Sequence, residues 1–141
     1  MESIEYKLII SEYTEYPGPR YCIQGNHSGE DFYHTKLNEA FFEAIKNKES
    51  LTVDLDGTAG YASSFLDEAF GNLAFDFSSD KVLSNLIIIS NQEPDWKAMI
   101  MDNIIPDWEN RRVNNDKPKK TEDHSEWYRL EKGIPIKKIW N

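Results

Sequence analysis

The chain is poor in three things: cysteine, positive charge and long apolar runs. Its single cysteine, Cys22, cannot form an internal disulfide, and the apolar, strand-like run around it favours a buried thiol over a catalytic one. A formal net charge of -9 disfavours nucleic-acid binding through phosphate neutralisation. The N-terminus lacks the apolar segment of a signal peptide, and no stretch is long enough to cross a bilayer. These features predict a soluble, cytoplasmic protein that binds neither nucleic acid nor membrane.

What is present is the composition of an ordinary folded domain. The 141 residues are 39% hydrophobic and 13% aromatic, which suffices for one domain with one core. Charge is distributed unevenly, because residues 1–105 carry a net charge of -11 and residues 106–141 carry +2. We therefore expect one domain over residues 1–106, followed over residues 107–141 by a polar linker and an aromatic, basic C-terminal extension.

Hydrophobic periodicity predicts an alternating series of strands and helices. Strands are predicted over 4–13, 20–24, 51–55 and 86–89, the first near an edge of the sheet and the last deep within it. Helices are predicted over 28–46, from Ser64 to about 75, and from Pro94 until Pro106 stops the last one. Residues 107–125 have no period and are predicted to be a solvated linker or flexible loop. This order predicts an α/β fold: a mixed sheet of four to five strands with three helices packed mainly on one face.

The stretch 51–75 organises this prediction. Ser64 has the position of a helix N-cap, and Asp67 lies three residues on, where it could return the hydrogen bond. The apolar residues of the following helix fall on one stripe that should face the sheet. The loop from Asp56 to Ser63 then lies at the C-terminal end of a strand, where parallel sheets present their ligand sites.

Several short motifs resemble one known family. They are Gly18-Pro19-Arg20, Gly25 with Ser28-Gly29-Glu30, Asp56-Gly57-Thr58, Gly60-Tyr61 and, above all, the run SSFLDEAFG at 63–71. Over residues 4–105 the chain resembles the bacterial STAS-like domains of unknown function, which are relatives of the anti-anti-sigma-factor fold.

The resemblance implies a STAS-like, non-catalytic protein-interaction or signalling switch. Members of the family can be joined to histidine-kinase-like ATPase domains, so a protein partner of that kind is implied. In anti-anti-sigma domains a serine at this helix start accepts a phosphate from a partner kinase, and Ser63 and Ser64 stand at the corresponding place. Whether the domain also forms homo-oligomers stays open.

A binding site for a partner or a polar ligand is therefore predicted near this loop. Four of its members have a structural alternative, because Ser64 could be only an N-cap, Glu30 could only complement a helix dipole, Arg20 could pair with an acid and Tyr61 could close the loop. The predicted site comprises Arg20, Ser28, Glu30, Gly60, Tyr61, Ser63 and Ser64.

An enzyme is the alternative function. Residues 54–58, DLDGT, match the nucleophile motif of haloacid-dehalogenase-type phosphatases, and the 86–91 segment resembles their phosphate-binding strand end. A magnesium site would also require an acidic pair after a later strand, and none follows in apolar context. We therefore expect a protein that is not an enzyme.

No metal or cofactor is expected from the sequence. His27, His34 and His124 are scattered, and there is no second cysteine at metal-ligand spacing. The C-terminal extension is a further candidate interaction segment, because its aromatic and aliphatic residues could anchor in a partner's groove. Packing against its own acidic domain is the equal alternative.

Overall fold

The computed structural model describes residues 6–140, and its centre is a parallel sheet of three strands in the order β1-β2-β3. These are β1 (Lys7–Ile9), β2 (Leu51–Asp54) and β3 (Leu86–Ile89). The α/β class and the edge position of β1 are confirmed, and Ile4 lies outside the described residues. The prediction that β3 lies deep in the sheet is wrong, since β2 is the central strand and Ile87 of β3 is 50% exposed.

The single mixed sheet of four to five strands is also wrong. Residues 20–24 form a loop with a 3-10 turn at Cys22–Gln24 rather than a strand, because the Gln24 side chain accepts the main-chain N–H groups of Arg20 and Tyr21. Directly after β1 the chain forms the short helix α1 (Ile10–Tyr13). The remaining strands, β4 (Trp127–Glu131) and β5 (Ile134–Lys138), pair only with each other as an antiparallel hairpin.

The structure has more helices than the three predicted. Two long helices each contain a π-helical turn, at Tyr33–Leu37 and at Met99–Ile104. The first is made by α2 (Gly29–Phe32) and α3 (Asn38–Lys46), the second by α6 (Pro94–Ala98) and α7 (Ile105–Val113). Between them lie α4 (Ser63–Phe77) and α5 (Ser79–Asn85). No helix in residues 6–140 combines the length and apolarity that crossing a membrane would need.

Helix α4 is the core of the molecule. We expected one apolar stripe facing the sheet, but nearly every side chain from Phe65 to Phe77 is buried. The helix is enclosed because it packs against α2, α5, α7 and β4. Gly71 makes the contact with α7 possible, since a Cβ there would lie 2.1 Å from Cε2 of Trp108. Helix α4 is therefore buried on nearly every side, with Glu68, Asn72 and Asp76 among its buried residues, rather than along one stripe.

The prediction of a linker over 107–125 is wrong for its first part, because residues 107–113 belong to α7. Pro106 does not stop the chain's helical course, because it falls in the first turn of α7, directly after a π-helical turn, where its missing N–H is tolerated. Trp108 is 3% exposed. The division into a domain over 1–106 and an extension over 107–141 stays a prediction.

In the structure the C-terminal extension packs on its own domain, which was one of the two alternatives. The Arg129 Nε donates to Asp76 Oδ1 at 2.6 Å, and Asp76 also accepts the hydroxyl of Tyr33. Asn38 exchanges two hydrogen bonds of 2.9 Å with the main chain of Tyr128. Burial raises the pKa of the Asp76 carboxyl, although Arg129 and Tyr33 act in the opposite direction. The hairpin is thus attached to α4 and to the α2–α3 helix by a buried polar network.

Candidate functional site

The C-terminal ends of β2 and β3 meet at one edge of the parallel sheet, and the loops that follow them are joined there. Oδ1 of Asp56 accepts the main-chain N–H groups of Asn91 and Gln92, each at 2.9 Å, and Oδ2 accepts the Asn91 amide at 3.2 Å. The Gln92 side chain in turn accepts the N–H of Gly57 at 2.9 Å. The DLDGT motif therefore connects two loops, and nothing in the described residues supports its use in a phosphatase.

A cleft of about 310 Å³ lies between these loops. Tyr61 and Trp96 form its aromatic part, with ring centroids 6.2 Å apart. The Tyr61 hydroxyl donates to the carbonyl of Leu55 at 2.7 Å, and burial raises the pKa of this phenol well above its usual value. The remaining lining is Leu55, Asp56, Thr58, Ala59, Gly60, Ser90, Gln92 and Glu93. This mixture of polar groups with two aromatic rings is suited to a polar ligand or to a side chain of a partner.

Helix α4 begins at Ser63, two residues after Tyr61 in the chain. Its N-cap is Ala62, which has no side chain that could accept a bond from the first amides of the helix. Ser63 is exposed. The prediction that Ser64 is the N-cap is wrong, because the helix starts one residue earlier and the Ser64 hydroxyl donates to the carbonyl of Gly18 at 3.3 Å.

Arg20 lies against the first turns of α4 and forms ion pairs with two acids there. Its guanidinium is 2.6 Å from Asp67 Oδ2 and 3.3 Å from Glu68 Oε1. Asp67 also accepts the indole N–H of Trp108 at 3.0 Å, so it does not return a capping bond to Ser64. Burial raises the pKa of Glu68, although Asn72 and Arg20 act in the opposite direction. The guanidinium of Arg20 is thus engaged by two carboxylates of its own chain.

Ser28 and Glu30 belong to a second cluster. The Ser28 hydroxyl caps α2 by accepting the N–H of Asp31 at 3.0 Å, as its spacing predicted. Glu30 is 1% exposed, and its carboxylate accepts the N–H of Cys22 and both the N–H and the hydroxyl of Thr121. Its other close partner is Nε2 of His124, at 2.6 Å. Burial alone would raise the pKa of Glu30, but the hydrogen bonds from Thr121, His124 and the main chain outweigh it and lower the pKa to about 2.

The seven predicted site residues therefore fall into three places. Gly60 and Tyr61 line the cleft, with Ser63 at the helix start after it. Ser64 and Arg20 are held by internal bonds on the first turns of α4. Ser28 and Glu30 lie with Cys22, Thr121 and His124, so they share no pocket with Tyr61.

Sequence reasoning missed the partners of Glu30 and the role of Trp96. Thr121 and His124 are 91 and 94 residues from Glu30 along the chain, and no local sequence pattern indicates such a contact. Trp96 lies in the helix predicted to begin at Pro94, and nothing in the local sequence indicates that it lines a cleft.

One group of residues has the side chains of a metal site. Ligand atoms of Cys22, Glu30 and His124 all lie within 4.8 Å of one another. The thiol itself is not activated, because burial raises the pKa of Cys22 to about 12. The prediction of a buried thiol in a strand is wrong, because Cys22 is half-buried and lies in a 3-10 turn.

Comparison with known proteins gives information on the family but not on the function. The family model of the STAS-like domain of unknown function (DUF4325) matches residues 28–96, a narrower range than the 4–105 over which the motifs were recognised. No curated protein and no solved structure matches the chain. The match contains the cleft loops and α4, and it confirms the family that the motifs indicated. Residues 28–96 of the chain therefore match the model of a STAS-like domain of unknown function.

Proposed function

We propose that this protein is a non-catalytic interaction domain of a signalling switch and that a partner reads the surface formed by the cleft and the start of α4. The observation that carries the proposal is the exposed Ser63 at the first position of a 15-residue helix whose N-cap, Ala62, provides no side-chain bond. Main-chain N–H groups at such a helix start are unpaired within the helix, and the helix dipole favours a negative group there. The partner is expected to be a cytoplasmic protein such as a histidine-kinase-like ATPase.

Phosphorylation of Ser63 is the proposed switch. A phosphate would add a charge of about -1.5 to -2 and three acceptor oxygens next to the first amides of α4. Ser64 is a poorer acceptor of the phosphate, since its hydroxyl already donates to Gly18 and its side chain is partly buried. Arg20 does not supply a counter-charge, because Asp67 and Glu68 neutralise it. The new charge would therefore face the solvent and any partner that binds the cleft.

Purification from the native cells tests this proposal. Tagged protein and its Ser63→Ala and Ser63→Asp variants are isolated under identical conditions, and Ser125→Ala serves as the control because Ser125 is an exposed serine in the loop before β4. Mass spectrometry identifies co-purifying proteins and any phosphate mass on Ser63. We expect one partner whose recovery differs between the two Ser63 variants and is unchanged in the control. Equal recovery of every protein from all four samples would contradict the proposal.

A further inference from the structure

Three side chains from distant parts of the chain meet beside the start of α2. Cys22 comes from the 3-10 turn, Glu30 from the first turn of α2, and His124 from the loop between α7 and β4. Their sulfur, carboxylate oxygen and ring nitrogen lie within 4.8 Å of one another. Glu30 and His124 are deeply buried, with side chains that are 1% and 5% exposed. A thiol, a carboxylate and an imidazole in mutual contact are one of each ligand type that zinc uses in proteins.

We propose that Cys22, Glu30 and His124 bind a divalent transition-metal ion of the zinc class. The charges match, because a thiolate and a carboxylate together neutralise a 2+ ion while the imidazole stays neutral. The softness also matches, since a sulfur and a nitrogen ligand select zinc over magnesium or calcium, which prefer oxygen ligands. With three ligands from the protein, a tetrahedral ion would keep one position for water or for an external group.

An entry path adjoins the sulfur of Cys22. A hollow of about 220 Å³, to which Cys22 contributes, opens beside the thiol and is lined otherwise by Gly25, Asn26, His27, Asp31 and Glu122. Carboxylate oxygens of Asp31 and Glu122 lie within 4.8 Å of the same sulfur. These two acids would attract a cation toward the site and could accept hydrogen bonds from a water in its fourth position. The open side of the proposed ion therefore faces this hollow.

Surrounding groups already orient each ligand. The Ser28 hydroxyl donates to the sulfur of Cys22 at 3.4 Å. The carboxylate of Glu30 is fixed by the N–H of Cys22 at 3.0 Å and by the N–H of Thr121 at 2.9 Å. The ring of His34 stacks on that of His124 with centroids 3.9 Å apart. Such outer partners hold metal ligands in place before the ion arrives, which lowers the cost of binding.

Binding would replace two hydrogens. The ion displaces the proton of the Cys22 thiol, which leaves to solvent, because the thiolate is the form that binds metal. It also takes the place of the hydrogen between His124 Nε2 and Glu30 Oε2, now 2.6 Å apart; that hydrogen is exchanged with solvent, so that the neutral ring carries its one hydrogen on Nδ1 and Nε2 is free to bind the ion. With bonds of about 2.0 to 2.3 Å to each ligand, these two atoms move apart to face the ion. The loop that carries His124 would thereby be joined to α2 by a stronger link than a hydrogen bond.

Metal titration of the full chain tests the proposal. Protein stripped with a chelator and then freed of it is titrated with zinc chloride against a chromophoric competitor, and separately with cobalt chloride under reducing conditions. We expect one ion per chain and, with cobalt, the near-ultraviolet absorption of a thiolate-to-cobalt transition. Cys22→Ser should remove that absorption and weaken zinc binding on the order of 100-fold or more, since loss of an outer-shell partner alone can reach that size.

Two further variants keep the test decisive. His124→Gln should weaken zinc binding to a similar extent, so the proposal does not depend on one cysteine variant folding correctly. Asp123→Asn is the matched control, because Asp123 is exposed and belongs to neither group of candidate ligands. Its affinity should equal that of the native chain. Absence of stoichiometric binding, or native affinity in a folded Cys22→Ser variant, would overturn the proposal and leave the cluster as a structural link only.

Discussion

Gly71→Ala is the substitution whose effect follows most directly from the packing of α4 against α7. On an exposed helix this change would stabilise by about 1 kcal/mol, because alanine is the better helix former. Here the new methyl would lie 2.1 Å from Cε2 and 2.3 Å from Nε1 of Trp108, so the indole must move. Overpacking of a core costs about 1 to 3 kcal/mol. The displaced indole also loses its 3.0 Å hydrogen bond to Asp67, worth about 1 kcal/mol.

These contributions combine to an expected loss of about 1 to 3 kcal/mol in the free energy of unfolding, after the gain in helix propensity is taken into account. A double-mutant cycle isolates the cause. Trp108→Ala alone should cost about 3 to 5 kcal/mol, but in that background Gly71→Ala should stabilise, because the clash is gone. Urea unfolding followed by far-ultraviolet circular dichroism measures all four proteins. A Gly71→Ala effect of the same sign in both backgrounds would refute the reasoning.

Three further changes test the polar contacts. Arg129→Met leaves the buried Asp76 without its cation and should lower the free energy of unfolding by about 3 to 5 kcal/mol. Arg112→Met removes an exposed ion pair and should lower it by less than about 1 kcal/mol. Equal losses for the two variants in urea unfolding would contradict this prediction. Because the folded pKa of Glu30 is about 2 and its ordinary value is 4.5, the metal-free protein should be most stable above pH 4.5 and lose stability toward pH 2. Glu30→Gln should make the stability depend less on pH between 4.5 and 2. An unchanged pH dependence would argue against the low pKa of Glu30. Tyr61→Phe removes one hydrogen bond and should cost about 1 kcal/mol in thermal unfolding without loss of the fold.

The parts of the fold that sequence could predict are those with strong local signals. The alternation in Leu51–Asp54 identified the central strand, and the capping spacing of Ser28 and Asp31 identified the start of α2. The family was also readable, since the 63–71 run is distinctive. Each of these depends on residues no more than a few positions apart.

The errors arise from hydrogen bonds that composition and hydrophobic period do not reveal. Residues 20–24 have the composition of a strand, but Gln24 bonds the N–H groups a strand would need, so a turn forms instead. Pro106 looks like a helix end unless the π-helical turn before it is known. Local patterns do not reveal these competitors, because each is decided by hydrogen bonds and packing that form only in the folded chain.

Prediction of the candidate site was limited in the same way. The cleft follows from the rule that parallel sheets bind ligands at strand C-termini, and Gly60 and Tyr61 were found by that rule. Arg20 and Glu30 were recognised as unusual residues, but their partners Asp67, Thr121 and His124 could not be deduced. The charged residues Arg20 and Glu30, which stood out in the sequence, are engaged by other residues of the protein, whereas Ser63 is exposed.

The bond between Asp76 and Arg129 spans 53 positions of the chain, and this separation has a consequence for synthesis on the ribosome. When α4 has emerged, its buried carboxylate still lacks the guanidinium that will neutralise it, and Tyr33 and Asn38 lack the hairpin that covers them. Closing the core before β4 has been translated would bury this carboxylate without its cation, which disfavours early closure. Native closure of the core should be a late event, triggered by the arrival of Arg129.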